Sequence, residues 1–372
     1  MKARVTIASK KLNYVTQKQV ASLQGDINIL LGAWSNGKSF SVKSFVLTQC
    51  YKNNCNFAFI VRMKKQDTAG RAENYFLDAP IEQITKGEYT AIVDYRHDLY
   101  FANYDKDKAK YIRGRKCGHR FNLYESYQDK STVYVNFKYG IFEEFITLDN
   151  YLPNEVNRLQ RLLSTISRNN TNGFKLYMIG NTISPICPYF RKFELTNVPN
   201  MKYDQKDRYE LETLYEDGSK SSTVIEVLLT HPVDKKNNLL IGHDAKEGNA
   251  GAFHVEDHNQ LTCSIKECTI LYNCVICYEG QRMLMQFIRD PKGAHMWYIT
   301  QKTTEIQEKT RTFGQIRTNS KYHTNKIEPL NANEARAIDY LRMGKICYQD
   351  NLTGTLFMQM LRGIMGEGFQ YE

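Results

Sequence analysis

No stretch of this sequence strings together the roughly 18 apolar residues that a membrane-crossing helix needs, so no membrane partner is expected. The segment Met1–Lys11 is basic but has no apolar core, which argues against a secretory signal. Low-complexity tracts and short-period repeats are missing as well. The nine cysteines are scattered and odd in number, which fits reduced thiols better than a disulfide scaffold. Cys274 and Cys277 form a C-x-x-C, yet no second pair stands at zinc-ribbon spacing, and Ile270–Tyr278 reads as a strand with ordinary buried thiols. Cys117 and His119 are too few for a metal site.

What is present is a chain of 372 residues, 42% hydrophobic, enough for two domains or one large domain with an appendage. The formal net charge of +10 favours a polyanionic partner such as nucleic acid; the plain alternative is an excess of lysine that keeps the protein in solution.

Gly32-Ala33-Trp34-Ser35-Asn36-Gly37-Lys38-Ser39 matches G-x-x-x-x-G-K-[ST] completely. Asp26–Leu31 before it reads as a short buried strand. Lys38–Tyr51 after it reads as a helix, with Phe40, Val42, Phe45, Val46 and Leu47 apolar and no proline or glycine inside. The chemistry needs this order. The two glycines let backbone N–H groups curl toward phosphate oxygens, and the helix N-terminus adds positive charge. Lys38 then reaches the β- and γ-phosphates of ATP, and the Ser39 hydroxyl ligates Mg²⁺.

A hydrolase of this kind also needs acid at a strand tip. Phe137–Phe142 leads into Glu143-Glu144. Glu143 would hold the Mg²⁺ shell, and Glu144 would orient and deprotonate the attacking water. Downstream, Tyr151–Val156 with Leu159, Leu162, Leu163 and Ile166 gives a helix ending at Ser167-Arg168. Arg168 there is either a solvated helix-end side chain or one that projects into a neighbouring subunit. The strand Phe174–Gly180 ends at Asn181-Thr182, which either sense the γ-phosphate or form a turn. The strand Cys55–Val61 delivers Arg62, Lys64 and Lys65, either as phosphate or neighbour contacts or as solvated charges.

Taken together, Gly32–Ser39, Phe59–Lys65, Glu143–Ile146, Tyr151–Val156, Ser167–Asn169 and Gly180–Phe190 resemble the packaging ATPases of phi29-like phages, relatives of the large terminase motors. The resemblance covers residues 27–190. It implies a P-loop ATPase domain of the ASCE type, α/β with a central, mostly parallel sheet, that binds ATP and Mg²⁺. It implies a homo-oligomeric ring, a pentamer in the family, seated on the portal of a prohead that can carry a structural RNA. Such a motor moves double-stranded DNA in the host cytoplasm. The resemblance also implies Glu144 as catalytic glutamate and Arg168 as the trans-acting finger. Arg62 and Lys65 become nucleotide contacts across the subunit boundary, and Asn181 a sensor. Glu143 departs from the family, which usually has Asp there.

For the DNA, the basic stretch Lys106, Lys108, Lys110, Arg113, Arg115 and Lys116 reads as a loop or hairpin, with His119 and Arg120 beyond it. It either tracks phosphates in a ring pore or is an exposed basic loop. Domain limits are expected at 1–200 for the ATPase, 201–235 for a linker or lid, in which Ser222–Leu229 reads as a strand that either closes the ATPase domain or opens the linker, and 236–372 for a smaller C-terminal α+β domain. In that last part three strand candidates, Cys268–Tyr278, Arg282–Ile288 and His295–Gln301, precede helical patterns at Asn331–Met343 and Thr353–Ile364. The order resembles the RNase H-like nuclease domain of large terminases. Asn273 stands where an acid is needed, and Asp290 and Asp339 do not make a two-metal set, so a vestigial, inactive nuclease is expected. The rivals are another P-loop translocase or helicase-like ATPase, a non-catalytic nucleic-acid-binding protein, and an active nuclease.

Overall fold

The structure is a computed structural model that describes residues 14–62, 70–125, 133–147, 151–152, 154–168, 173–182, 187–214, 217–233, 258–278, 281–302, 304–315 and 320–365. The chain divides into two compact units, Met1–Ser184 with Lys192–His254, and Pro185–Arg191 with Val255–Glu372. No helix among the described residues is long and apolar enough to cross a membrane.

The first unit is built on a nine-stranded sheet. Its strands are β1 (Ile27–Gly32), β2 (Asn56–Val61), β3 (Ala91–Tyr95), β4 (Asp98–Asp105), β5 (Lys110–Asn122), β6 (Phe137–Glu143), β7 (Lys175–Asn181), β8 (Lys206–Leu214) and β9 (Lys220–Leu229). They lie in the order β3-β4-β5-β2-β6-β7-β1-β9-β8. From β5 across to β9 every neighbouring pair is parallel, while β3, β4 and β8 join antiparallel at the two edges. Parallel strands are covered on both faces, which is why β1 reads Ile-Asn-Ile-Leu-Leu-Gly and is buried at every position. The one polar member, Asn28, closes on its own turn, accepting from Gly25 N at 3.0 Å and donating to Gly25 O at 2.9 Å.

The helices of this unit are α1 (Gln17–Ala21), α2 (Lys38–Lys52), α3 (Arg71–Phe76), α4 (Ile81–Ile84) and α5 (Glu155–Ser167). Val42, Val46 and Leu47 of α2 share a core with Phe57 and Phe59 of β2 and Phe76 of α3. Helix α5 starts one residue after Asn154, whose left-handed backbone (φ 57°) turns the chain into it; its apolar stripe is Val156, Leu159, Leu162 and Ile166. The topology interposes β7 between β1, which leads into the glycine loop, and β6, which carries the acids.

The expected domain limits need correction. The span 201–235 is not a linker: β8 and β9 complete the first sheet, β9 pairing in parallel with β1 from Ile27↔Ile225 to Leu31↔Leu229. The misleading signal is physical. As an edge strand, β8 exposes alternate side chains, and Lys206, Arg208, Glu210 and Glu212 give it the composition of a solvated loop.

In the second unit, α6 (Pro188–Lys192) comes first, all but its last residue lying there. It is followed by β10 (Thr269–Tyr278), β11 (Gln281–Arg289), β12 (His295–Gln301), β13 (Thr312–Gly314), β14 (His323–Thr324), α7 (Ala332–Arg342), β15 (Ile346–Tyr348) and α8 (Asn351–Met365). The sheet order is β14-β13-β10-β11-β12-β15. Strands β10, β11 and β12 form an antiparallel meander, and β13 and β14 add in parallel on the β10 side. Trp297 is the largest side chain in this core, and its indole N–H donates to Ala337 O at 2.7 Å, tying β12 to α7. Cys274 and Cys277 are buried in β10, and burial pushes the Cys277 thiol up to about 11.

Candidate functional site

The glycine loop follows β1 as its sequence requires. Gly32 (φ 150°), Ser35 (φ 57°) and Gly37 (φ 88°) turn the chain, and α2 begins at Lys38 with no side chain capping its first amides. A Cβ on Gly32 would run into the Thr230 hydroxyl and sit 2.9 Å from Asn36 Nδ2. Those two side chains hold the loop. Thr230, fully buried just past β9, donates to Leu31 O at 2.6 Å and accepts from Asn36 Nδ2 at 2.7 Å. From the other side Val15 N donates to Asn36 O at 3.0 Å, and Ser41 Oγ donates to Val15 O at 2.6 Å.

Lys38 is 4% exposed. Its ammonium donates to Ala33 O at 2.6 Å, Gly32 O at 3.0 Å, Asn36 Oδ1 at 3.1 Å and Asn181 Oδ1 at 3.3 Å. Burial pulls its pKa down to about 7, partly offset by the Glu143 charge. Asn181 ends β7, so the strand between the loop and the acids places its amide on the loop lysine.

Ser39 Oγ donates to Glu143 Oε1, joining the loop to the tip of β6. Burial raises the Glu143 carboxyl above its usual range; the Ser39 hydrogen bond and the nearby Tyr75 phenol oppose this, and the Glu144 charge adds to it. The Tyr75 phenol, beside Glu143, is pushed well above its ordinary value by burial and by that carboxylate. Lys43, one turn along α2, donates to Tyr75 O at 2.8 Å and pairs with Asp78. Glu144 is exposed and has left-handed backbone, φ 54°. Such a conformation costs a non-glycine residue on the order of 1 kcal/mol or more, and it aims the carboxylate out of the strand toward the cleft.

Ser35 through Ser39, Ser41, Glu144 and Asn181 line one cleft of about 970 Å³ together with Tyr14, Val15, Thr16, Gln17, Trp34 and Phe40, and Glu143 reaches it through Ser39. Tyr14, Trp34 and Phe40 are each about two-fifths exposed (41%, 40% and 43%), an aromatic rim on a polar floor. The donor set suits magnesium: a hydroxyl and a carboxylate already in contact, beside room for phosphates and water. Among the described residues no group of three or more His, Cys, Asp and Glu could hold a metal alone.

Of the residues expected from sequence, the structure brings Gly32 through Ser39, Glu143, Glu144 and Asn181 together. Arg62 is a correction. It is 6% exposed, holds both Glu155 carboxylate oxygens at 3.0 Å and Phe145 O at 2.7 Å, and so acts inside its own subunit, where the sequence suggested a contact across a boundary. Lys65 lies outside the described residues. Arg168 caps the exposed end of α5, with no ion pair among the described residues.

The basic stretch forms the β4–β5 hairpin. Lys106, Lys110 and Arg113 are exposed, and Arg113 stacks on Tyr95 at 3.8 Å. Lys108 and Lys116 pair with Asp105 and Asp98. Arg115 is a second correction: half-buried, it donates to Asn54 Oδ1 at 3.0 Å and to the carbonyls of Cys50 and Tyr51, where it holds the end of α2. Thr230 and the 14–17 segment were not foreseen; their partners are far apart in sequence, and only the fold joins them.

In the second unit Asn273 pairs with Gln286 at 3.1 Å, Asp290 accepts from Lys292 N and Ala294 N in a turn, and Asp339 pairs with Arg342 on α7.

The family model of the Podovirus DNA encapsidation protein (Gp16) matches residues 8–217. The DNA packaging protein of Bacillus phage phi29 is 29% identical over 201 residues, 53% of this chain and 55% of that protein. The chain thus spans about half the length of the curated relatives it matches. The bacteriophage Phi-29 viral genome packaging motor assembly shares the fold with a TM-score of 0.61 at 17% identity, covering 95% of this chain and 99% of that one. The Phi-28 gp11 DNA packaging motor gives a TM-score of 0.50 at 16% identity, covering 94% and 98%.

Proposed function

The chain belongs to the podovirus DNA encapsidation family, and we propose that it is the ATP-hydrolysing motor that drives double-stranded viral DNA into a preformed prohead. The observation that carries this reading is one cleft lined by Lys38, Ser39, Glu144 and Asn181, with Glu143 hydrogen-bonded to Ser39. The β9-β1-β7-β6-β2 order supports an ASCE-type ATPase core, in which a polar strand tip stands between the loop and the acids.

The loop amides and the Lys38 ammonium bind the triphosphate, the lysine exchanging backbone carbonyls for phosphate oxygens. Ser39 and Glu143 are the residues that would hold Mg²⁺, which when bound neutralises charge on the β- and γ-phosphates. Glu144, kept at the cleft by its left-handed backbone, orients the attacking water and accepts its proton. Asn181 shares the lysine with the loop, so a shift of that amine on hydrolysis reaches β7 directly. Tyr14 and Phe40 offer flat apolar faces for the base.

In a homo-oligomeric ring, a pentamer by family likeness, Arg168 would reach the γ-phosphate of the next subunit, a role its exposure at the end of α5 supports. The exposed cations of the β4–β5 hairpin would track DNA phosphates without reading bases. The ring would sit on the portal, with or without a structural RNA, in the host cytoplasm. The meander flanked by β13 and β14 supports a vestigial RNase H-like unit, and the turn and ion-pair uses of Asp290 and Asp339 support its lack of nuclease activity. Steady-state ATPase activity, measured with duplex DNA and with or without purified proheads, tests the proposal. Stimulation that needs proheads supports it. DNA stimulation with strand unwinding from free ends and no prohead requirement would favour a helicase-like translocase.

A further inference from the structure

The Tyr75 hydroxyl is a buried polar group beside Glu143 that the hydrolysis scheme leaves unused. Its ring is fixed from several sides: stacked on Phe59 with centroids 4.7 Å apart and 20° between planes, edge-on to Phe76 at 4.8 Å, and under the Lys43 ammonium at 4.7 Å. The hydroxyl is shielded from solvent and has no closed hydrogen bond. Its neighbour is the Glu143 carboxylate, whose Oε1 is engaged by Ser39. A buried hydroxyl without a partner is costly and is seldom kept without a use.

The Ser39–Glu143 bond joins the two oxygens that would hold magnesium, and both could turn to an ion only if that bond opened. Once Ser39 turns its oxygen to the metal, Glu143 loses a donor. A glutamate also has one more rotatable bond to fix than an aspartate would.

We propose that Tyr75 is a positioning residue for the magnesium site: its phenol donates to Glu143 when Ser39 releases that carboxylate, and so fixes the longer acid at metal-holding reach. This rests on the nucleotide-binding reading above. Tyr75 touches neither nucleotide nor metal; it acts through Glu143.

Tyr75→Phe keeps the ring and its packing and removes only the hydroxyl. Affinity for ATP is measured by calorimetry on the full chain, once with excess Mg²⁺ and once with EDTA. The expected result is about a tenfold loss of affinity with Mg²⁺, the size of one hydrogen bond to a charged group, and unchanged affinity in EDTA. A packing role would lower both alike or neither, and either outcome overturns the proposal. The double variant Y75F/E143Q adds a check that does not depend on fold stability. It should bind Mg·ATP no more weakly than Glu143→Gln alone, because the hydroxyl acts through that acid; additive losses would refute this. If wild-type protein bound ATP in neither condition, the nucleotide reading itself would fall, and this inference with it.

Discussion

Raising the pH from 6 to 8 should convert ATP binding from proton-neutral to proton-consuming. Lys38 is buried among carbonyls, and desolvation lowers its pKa from 10.5 to about 7. That difference corresponds to about 5 kcal/mol of preference for the neutral amine. A bound triphosphate favours the charged form, so the complex carries a proton that much of the free protein lacks once pH exceeds about 7. At pH 8 about nine-tenths of the free lysine is neutral, so binding should take up close to one proton; at pH 6 it should take up about a tenth. Affinity should then fall nearly tenfold per pH unit above 7. Calorimetry in buffers of different ionisation enthalpy reads proton uptake directly, with Mg²⁺ saturating so that the terminal phosphate is already ionised. Lys38→Arg, whose guanidinium stays charged throughout, is the control and should show no uptake. Heats at pH 8 that do not depend on the buffer would refute the claim that the ammonium is desolvated in the free cleft.

Glu144→Gln should leave ATP affinity unchanged and slow turnover about 100-fold or more, whereas Glu144→Gly should also lose turnover but raise the melting temperature, because it relieves the left-handed backbone. Arg62→Ala should cost about 3–5 kcal/mol in denaturant unfolding, because it strands the buried Glu155 charge; a loss below 1 kcal/mol would show the pair to be incidental. Arg168→Ala should preserve ATP binding and stability yet abolish turnover in assembled rings, and mixing with Lys38→Ala subunits that keep Arg168 should restore some of it; no rescue would argue against trans action. Neutralising Lys106, Lys110 and Arg113 together should weaken DNA binding and flatten the slope of log affinity against log salt by about 3.

Where function rests on contiguous residues, the sequence was readable. The glycine loop, its strand and its helix are local, and the structure places β1 and α2 within a residue or so of the limits expected from pattern. The acids at the tip of β6 and Asn181 at the tip of β7 were legible because strand ends beside a P-loop are few. Their adjacency to Lys38 and Ser39 was not, since strand order is a property of the whole sheet. Arg62 looked like a free strand-tip cation, but Glu155, at the start of α5 and far along the chain, neutralises it. Arg115 misled in the same way: its partners Cys50, Tyr51 and Asn54 stand far upstream, and composition does not record them. Thr230 carried no signal at all, because a threonine after a strand is ordinary until its hydroxyl is found 2.7 Å from Asn36 Nδ2.

The most direct measurement is protection of duplex DNA from nuclease inside purified proheads, with ATP, for wild type and Glu144→Gln in parallel. The account predicts protected, genome-length DNA with the wild-type protein and none with the variant, although both bind nucleotide. Equal protection by the two, or brisk ATP turnover by wild type with no DNA protected, would contradict it.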